Sequence, residues 1–167
     1  MKTLGFDPGT VATGFGVVVF DAGRLTLECC GVFRPPAAMD LPAKLDFLLG
    51  AALELAARVR PDAVSIETVF STPRHVASSL KLSHARGVLL AAAARSGLPV
   101  YEYEPKLVKK ALVGYGQAEK EQVRAMVLSL LARQRSRVPL DAADALALAI
   151  CHLHATGGRV PQNSVAR

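Results

Sequence analysis

No apolar run in this 167-residue sequence approaches the roughly 20 residues that cross a bilayer; the longer ones, Val17–Phe20 and Val88–Ala94, are far too short. A soluble protein is expected. No secretory leader or export is expected, because Asp7 and then Pro8-Gly9 stand where the apolar core of about 7–15 residues would lie. Cysteine is scarce. Cys29 and Cys30 are adjacent and Cys151 is remote, so there is no C-x-x-C pair, and the odd count argues against a disulfide framework. Buried thiols in a reducing cytoplasm are the expectation. The 10 Pro and 13 Gly form no low-complexity tract, which excludes disorder over most of the chain. No Ser-His-Asp or Cys-His arrangement is legible, so covalent nucleophilic catalysis is not expected. His152 and His154 flank Leu153, but i, i+2 positions of a helix point apart, and no zinc site is expected there. Acids are the minority charge, 14 against 20 Lys plus Arg, and the net charge of +6 favours a polyanionic partner such as nucleic acid.

What remains is 51% hydrophobic and 20% charged, a globular composition at a length that suits one domain. Leu4-Gly5-Phe6, Phe15–Phe20 and Leu25–Phe33 read as three strands, the last with Leu25, Leu27, Cys29 and Phe33 at even spacing. Asp21-Ala22-Gly23-Arg24 is a hairpin turn, so the three form an antiparallel meander that ends at Pro35-Pro36. Leu41, Leu45, Leu48, Leu49, Ala52, Ala56 and Val59 make an amphipathic helix capped by Asp40. A strand over Ala63–Glu67, a helix from about His75 to Ser96 closed by Gly97, and a strand near Pro99–Glu102 follow, and this alternation implies parallel strands. Val123, Met126, Val127, Leu130 and Leu131 form another helical stripe, and residues 141–154 read as a largely buried last helix. The expected domain is 1–154, with 155–167 a disordered basic tail; no internal repeat is present.

Two of the acids close buried strands. Asp7 ends the first strand and Glu67 the fourth, and a buried carboxylate must be hydrogen-bonded, paired or metal-bound. Functional groups of parallel sheets gather at the carboxyl ends of strands, which makes these two candidate neighbours. Asp141-Ala142-Ala143-Asp144 opens the last helix with both carboxylates on one face. Taken alone, that pair is equally well explained as first-turn acids complementing the helix dipole, worth about 0.3–1 kcal/mol. Four acids from three segments of a basic chain also suit hard divalent cations, and two such ions about 3.5–4 Å apart can stabilise the attacking and leaving oxygens of a phosphodiester. The glycine pattern Asp7-Pro8-Gly9-Thr10-x-x-Thr13-Gly14-x-Gly16 lets backbone approach either backbone or a phosphate. Actin-like ATPases and sugar kinases share such turns, but they use two large lobes and far more chain.

Five motifs, in order, resemble the RuvC family of Holliday-junction resolvases, the crossover junction endodeoxyribonucleases of bacteria. They are Gly5-Phe6-Asp7-Pro8-Gly9-Thr10, Ile66-Glu67-Thr68-Val69-Phe70, Leu80–Gly87, Val108–Lys120 and Asp141–Ala147. The resemblance implies an RNase H-like α/β fold with a mixed five-stranded sheet flanked by helices, and a cytoplasmic homodimer packed through the helix of about residues 75–96. It implies a DNA-binding hydrolase of recombination and DNA-damage repair that makes paired nicks in four-way junctions, with RuvA and RuvB as branch-migration partners. By resemblance the catalytic and metal-binding acids are Asp7, Glu67, Asp141 and Asp144, holding two Mg²⁺ or Mn²⁺ ions; the third acid is histidine in some relatives. Phe70 matches the family aromatic after the second acid, which would stack on or wedge against opened bases, an interaction worth about 1–3 kcal/mol; read alone, the less favoured reading is a core residue. Lys109 and Lys120 match lysines near the scissile phosphate, and Arg74, Lys81 and Arg86 are further candidate DNA contacts; lysines beside a glycine-rich loop are otherwise ordinary solvated surface. Arg133, Arg135 and Arg137 either grip a junction arm or solvate a loop. The alternatives are a related RNase H-like nuclease acting on RNA or other branched DNA, and a non-catalytic junction-binding protein.

Overall fold

The computed structural model describes residues 1–68, 76–132 and 138–159. Strands β1 (Lys2–Asp7), β2 (Thr13–Asp21) and β3 (Arg24–Phe33) form the antiparallel meander, and β4 (Ala63–Glu67) and β5 (Val100–Tyr103) extend it in parallel, giving the order β3-β2-β1-β4-β5. With helices on both faces, this is the RNase H-like arrangement expected from the motifs. The β2–β3 turn places Ala22 at φ 47° and Gly23 at φ 79°, the left-handed pair that matches the twist of a two-residue hairpin.

Strand β3 departs from the even spacing read in the sequence. Val17 pairs with Cys29 and Val18 with Leu27, so Glu28 is an extra residue in a bulge. The bulge inverts the alternation. Leu25, Leu27, Cys30 and Val32 pack on one face of the sheet, whereas Cys29 and Phe33 pack on the other, so the four evenly spaced residues divide into two pairs on opposite faces.

Helices α1 (Leu41–Val59) and α2 (Val76–Arg95) cover one face, where Leu55, Val59, Leu89 and Ala92 meet Leu4, Phe6, Val64 and Ile66. Asp40 caps α1 as expected, its carboxylate accepting from the Ala43 amide at 3.0 Å. Helices α3 (Pro105–Val113), α4 (Lys120–Leu130) and α5 (Leu140–Thr156) cover the other face, with α5 lying directly on β1 and β2. Helix α3 is absent from the sequence reading; Pro105 starts it, and Val108 and Leu112, one turn apart, bury its inner face. From Ala142 to Leu153 every residue of α5 is buried except Asp144. The helix continues through Ala155 and Thr156, beyond the expected domain edge, and Thr156 Oγ1 donates to the His152 carbonyl at 2.9 Å. The remainder of the expected tail, residues 160–167, lies outside the described residues. Among those described, no helix is long and apolar enough to cross a membrane.

Candidate active site

Strand periodicity places the first two acids. Leu4, Phe6, Val64 and Ile66 point toward α1 and α2, so the alternate residues Gly5, Asp7, Ser65 and Glu67 face α5. Phe6 and Ile66 are register partners in the parallel β1–β4 pair, which sets Asp7 and Glu67 side by side at the carboxyl edge of the sheet.

Glycines seat the helix that carries the other two. A Cβ on Gly5 would overlap the carbonyl oxygen of Ala145, and one on Gly14 would overlap that of Asp141. Only bare backbone lets the first turn of α5 come down onto β1 and β2. Behind Asp7, Thr13 Oγ1 donates to the Gly9 carbonyl at 2.7 Å and accepts from the Gly9 amide at 3.2 Å, closing the turn after β1. The glycine pattern thus serves backbone packing of a helix on a sheet.

Asp7, Glu67 and Asp144 line a cleft of about 240 Å³ with Lys109 and Lys120, walled by Pro105, Val108, Val123, Ala147 and Leu148. Lys120 Nζ lies 2.6 Å from Asp144 Oδ2. Asp141 stands at the margin, 3.7 Å from an Arg34 guanidinium nitrogen. Burial pushes the Asp7 carboxyl up to about 7, reinforced by the negative charges of Asp144, Glu67 and Asp141 and opposed by Lys120. Glu67 is raised too, by burial and then by Asp144, with Lys120 and Lys109 opposing. Contact with Asp144 raises Lys120.

The donor chemistry suits a hard divalent cation: four carboxylates, of which Asp7 holds its proton up to about 7 and Glu67 is also raised by burial and by its acidic neighbour Asp144. Among the described residues no three of these side chains already surround one point as ligands would. Asp144 is engaged instead by the Lys120 ammonium, the cation at the position an ion would contest.

The remaining candidates are scattered. Lys81 is exposed on α2 and borders, with Gly9–Ala12, a depression adjoining the β1 turn. Arg86 is turned inward, donating to the Glu67 carbonyl at 3.1 Å and pairing with Glu102. Phe70, Arg74, His75, Arg133, Arg135 and Arg137 lie outside the described residues. His152 belongs to the core: its Nδ1 is 2.7 Å from the Tyr103 hydroxyl, and its ring lies 4.2 Å from that of Tyr101. Sequence reasoning missed Arg34, whose only signal was a basic residue directly after β3, and the Pro105–Val108 wall, which depends on the unrecognised α3.

The RuvC family, described as crossover junction endodeoxyribonuclease RuvC, matches residues 3–152. The chain is 45% identical over 154 residues to the crossover junction endodeoxyribonuclease RuvC of Syntrophomonas wolfei, covering 92% of this chain and 89% of that one. To the enzyme of the same name from Solidesulfovibrio magneticus it is 47% identical over 151 residues, 90% and 88% of the two chains. The solved structure of Thermus thermophilus RuvC in complex with Holliday junction substrate superposes with a TM-score of 0.86 at 36% identity, covering 95% and 96%. Matching over nearly its whole length in both sequence and fold, the chain belongs to the RuvC family of crossover junction endodeoxyribonucleases.

Proposed function

We propose that this protein resolves four-way DNA junctions by metal-dependent, paired symmetric nicks, leaving 5′-phosphate and 3′-hydroxyl ends, in cytoplasmic recombination and DNA repair. The observation that carries the reading is the convergence of Asp7, Glu67 and Asp144 in one cleft with Lys109 and Lys120, and with Asp141 at its edge. The fold is shared with a Thermus thermophilus relative solved on Holliday junction substrate.

Asp7, Glu67, Asp141 and Asp144 would hold two Mg²⁺ or Mn²⁺ ions, which when bound supply activation of water and stabilisation of the leaving 3′ oxygen. The chain's own residues prepare that chemistry. Lys109 and Lys120 draw the scissile phosphate into a cleft otherwise dominated by carboxylates and offset charge that develops on it. The apolar wall of Val108, Val123, Ala147 and Leu148 lowers the local polarity, strengthening each of these interactions. Lys81 extends the positive surface along the edge of α2, Phe70 is assigned a DNA contact on the strength of the family motif, and Arg74 is assigned one on its charge alone. Two symmetric cuts require two such clefts related by a two-fold axis, so the functional unit is a homodimer, with RuvA and RuvB supplying branch migration.

The test is nicking of a mobile synthetic four-way junction in Mg²⁺, Mn²⁺ or EDTA by wild type, Asp7→Asn and Asp144→Asn, with binding recorded in parallel. Symmetric cuts that need metal and vanish in both variants, while binding survives, are expected. Binding without cutting under any metal would leave a junction-binding protein, and preferential cutting of RNA or plain duplex would point to a different nuclease.

A further inference from the structure

Arg86 lies on α2, across the sheet from the acid cluster, and its side chain is only 19% exposed. Its Nε donates to the carbonyl oxygen of Glu67 at 3.1 Å, and its terminal nitrogen pairs with the carboxylate of Glu102 on β5. Glu102 is the register partner of Ile66, so it shares the α2 face. The guanidinium therefore ties the ends of β4 and β5 together from behind, while the Glu67 carboxylate lines the cleft on the opposite side.

The next hydrogen bond along the chain completes the clamp. The Thr68 amide donates to the Tyr103 carbonyl at 3.0 Å, so the peptide unit joining Glu67 to Thr68 is held by its carbonyl through Arg86 and by its N–H through β5. Rotation of that peptide would swing the Glu67 side chain, and both polar atoms resist it. A lysine would keep the charge but not the planar fork that serves two acceptors at once.

We propose that Arg86 is a positioning residue: by clamping the Glu67–Thr68 peptide, with Glu102 as its anchor, it sets the direction of the Glu67 carboxylate for the cut and does not contact DNA. This rests on the nuclease reading above and adds to it a residue on the far side of the sheet.

The test compares Arg86→Lys, Glu102→Gln and the double variant with wild type in the full chain. Readouts are junction Kd, single-turnover cutting rate against Mg²⁺ concentration, Mn²⁺ affinity by electron paramagnetic resonance, and Tm. Both single variants should bind junctions as wild type does, cut roughly 10–100-fold more slowly and need more Mg²⁺ for half-maximal rate, the range seen when groups supporting metal ligands are removed. The double variant should be no worse than Arg86→Lys. A DNA contact predicts the reverse: near-normal cutting by the charge-conserving lysine, and unchanged or tighter binding at full rate in Glu102→Gln. That result would overturn the proposal. If Arg86→Lys does not fold, Glu102→Gln decides alone, since Glu102 is half exposed. If wild type cuts nothing, the nuclease reading falls separately; the positioning role then requires weaker Mn²⁺ binding in the variants, and equal affinities would end it.

Discussion

The α-carbon of Gly14 lies so close beneath Asp141 that a Cβ there would take the place of the Asp141 carbonyl oxygen. An acid of the candidate site and a glycine of β2 are thus joined through backbone alone. Gly14→Ala cannot be relieved by a side-chain rotation. The expected cost is about 1–3 kcal/mol of stability, with a loss of cutting that exceeds what the unfolded fraction explains, because the first turn of α5 must lift. Denaturant midpoints and nicking rates on the same preparation check both effects.

The acid cluster should weaken the metal-free fold. Asp7 holds its proton up to about 7 in the folded state against 3.8 as the ordinary value, so folding favours the protonated form. Stability contributed by that proton is full below about pH 4, declines as pH rises through this window and is gone above about pH 7. In EDTA, Asp7→Asn should therefore melt higher than wild type at mildly alkaline pH and show little advantage at acid pH. Adding Mg²⁺ should shrink the gap by stabilising wild type. A melting series across pH with and without the ion would show it.

Lys120 is the positive charge that opposes protonation of both Asp7 and Glu67. Lys120→Met should slow cutting and move the acid limb of the pH–rate profile to higher pH, because both carboxylates then hold their protons more tightly. An unshifted limb would show that another cation controls their ionisation.

His152 works in the opposite sense. Burial lowers its pKa to about 4, from the ordinary 6.5, and its Nδ1 meets the Tyr103 hydroxyl. The unfolded chain binds this proton first, so stability from neutral His152 is complete above about pH 6.5 and is lost as pH falls toward 4. His152→Phe should flatten that acid-side decline. Urea midpoints against pH, set beside those of Asp7→Asn, would separate the two opposing slopes.

Much of this was legible before the structure. Apolar alternation located the strands, Asp40 announced α1, and the acids at strand ends and in Asp141-Ala142-Ala143-Asp144 marked the cleft, because charge among apolar residues needs a reason. The bulge at Glu28 was not legible: β3 carries apolar residues for both faces, so one extra residue leaves the pattern looking regular. Helix α3 was missed because its nine residues, opened by a proline and stopped by a glycine, show too short an apolar stripe. Arg86 reads as a DNA contact because a guanidinium serves phosphate and peptide carbonyl alike; its hydrogen bond to the Glu67 carbonyl depends on the packing of α2 on the sheet, which no local pattern announces.

Helix α5, walled by the sheet on one side and by α3 and α4 on the other, exposes only Asp144 along the stretch from Ala142 to Leu153. Its amides have no local route to solvent, so hydrogen exchange there should proceed through global opening and report the full unfolding free energy. Two of the four acids ride on this element. Heat should accordingly remove the cleft and the fold in a single step, with activity and native structure disappearing at the same temperature.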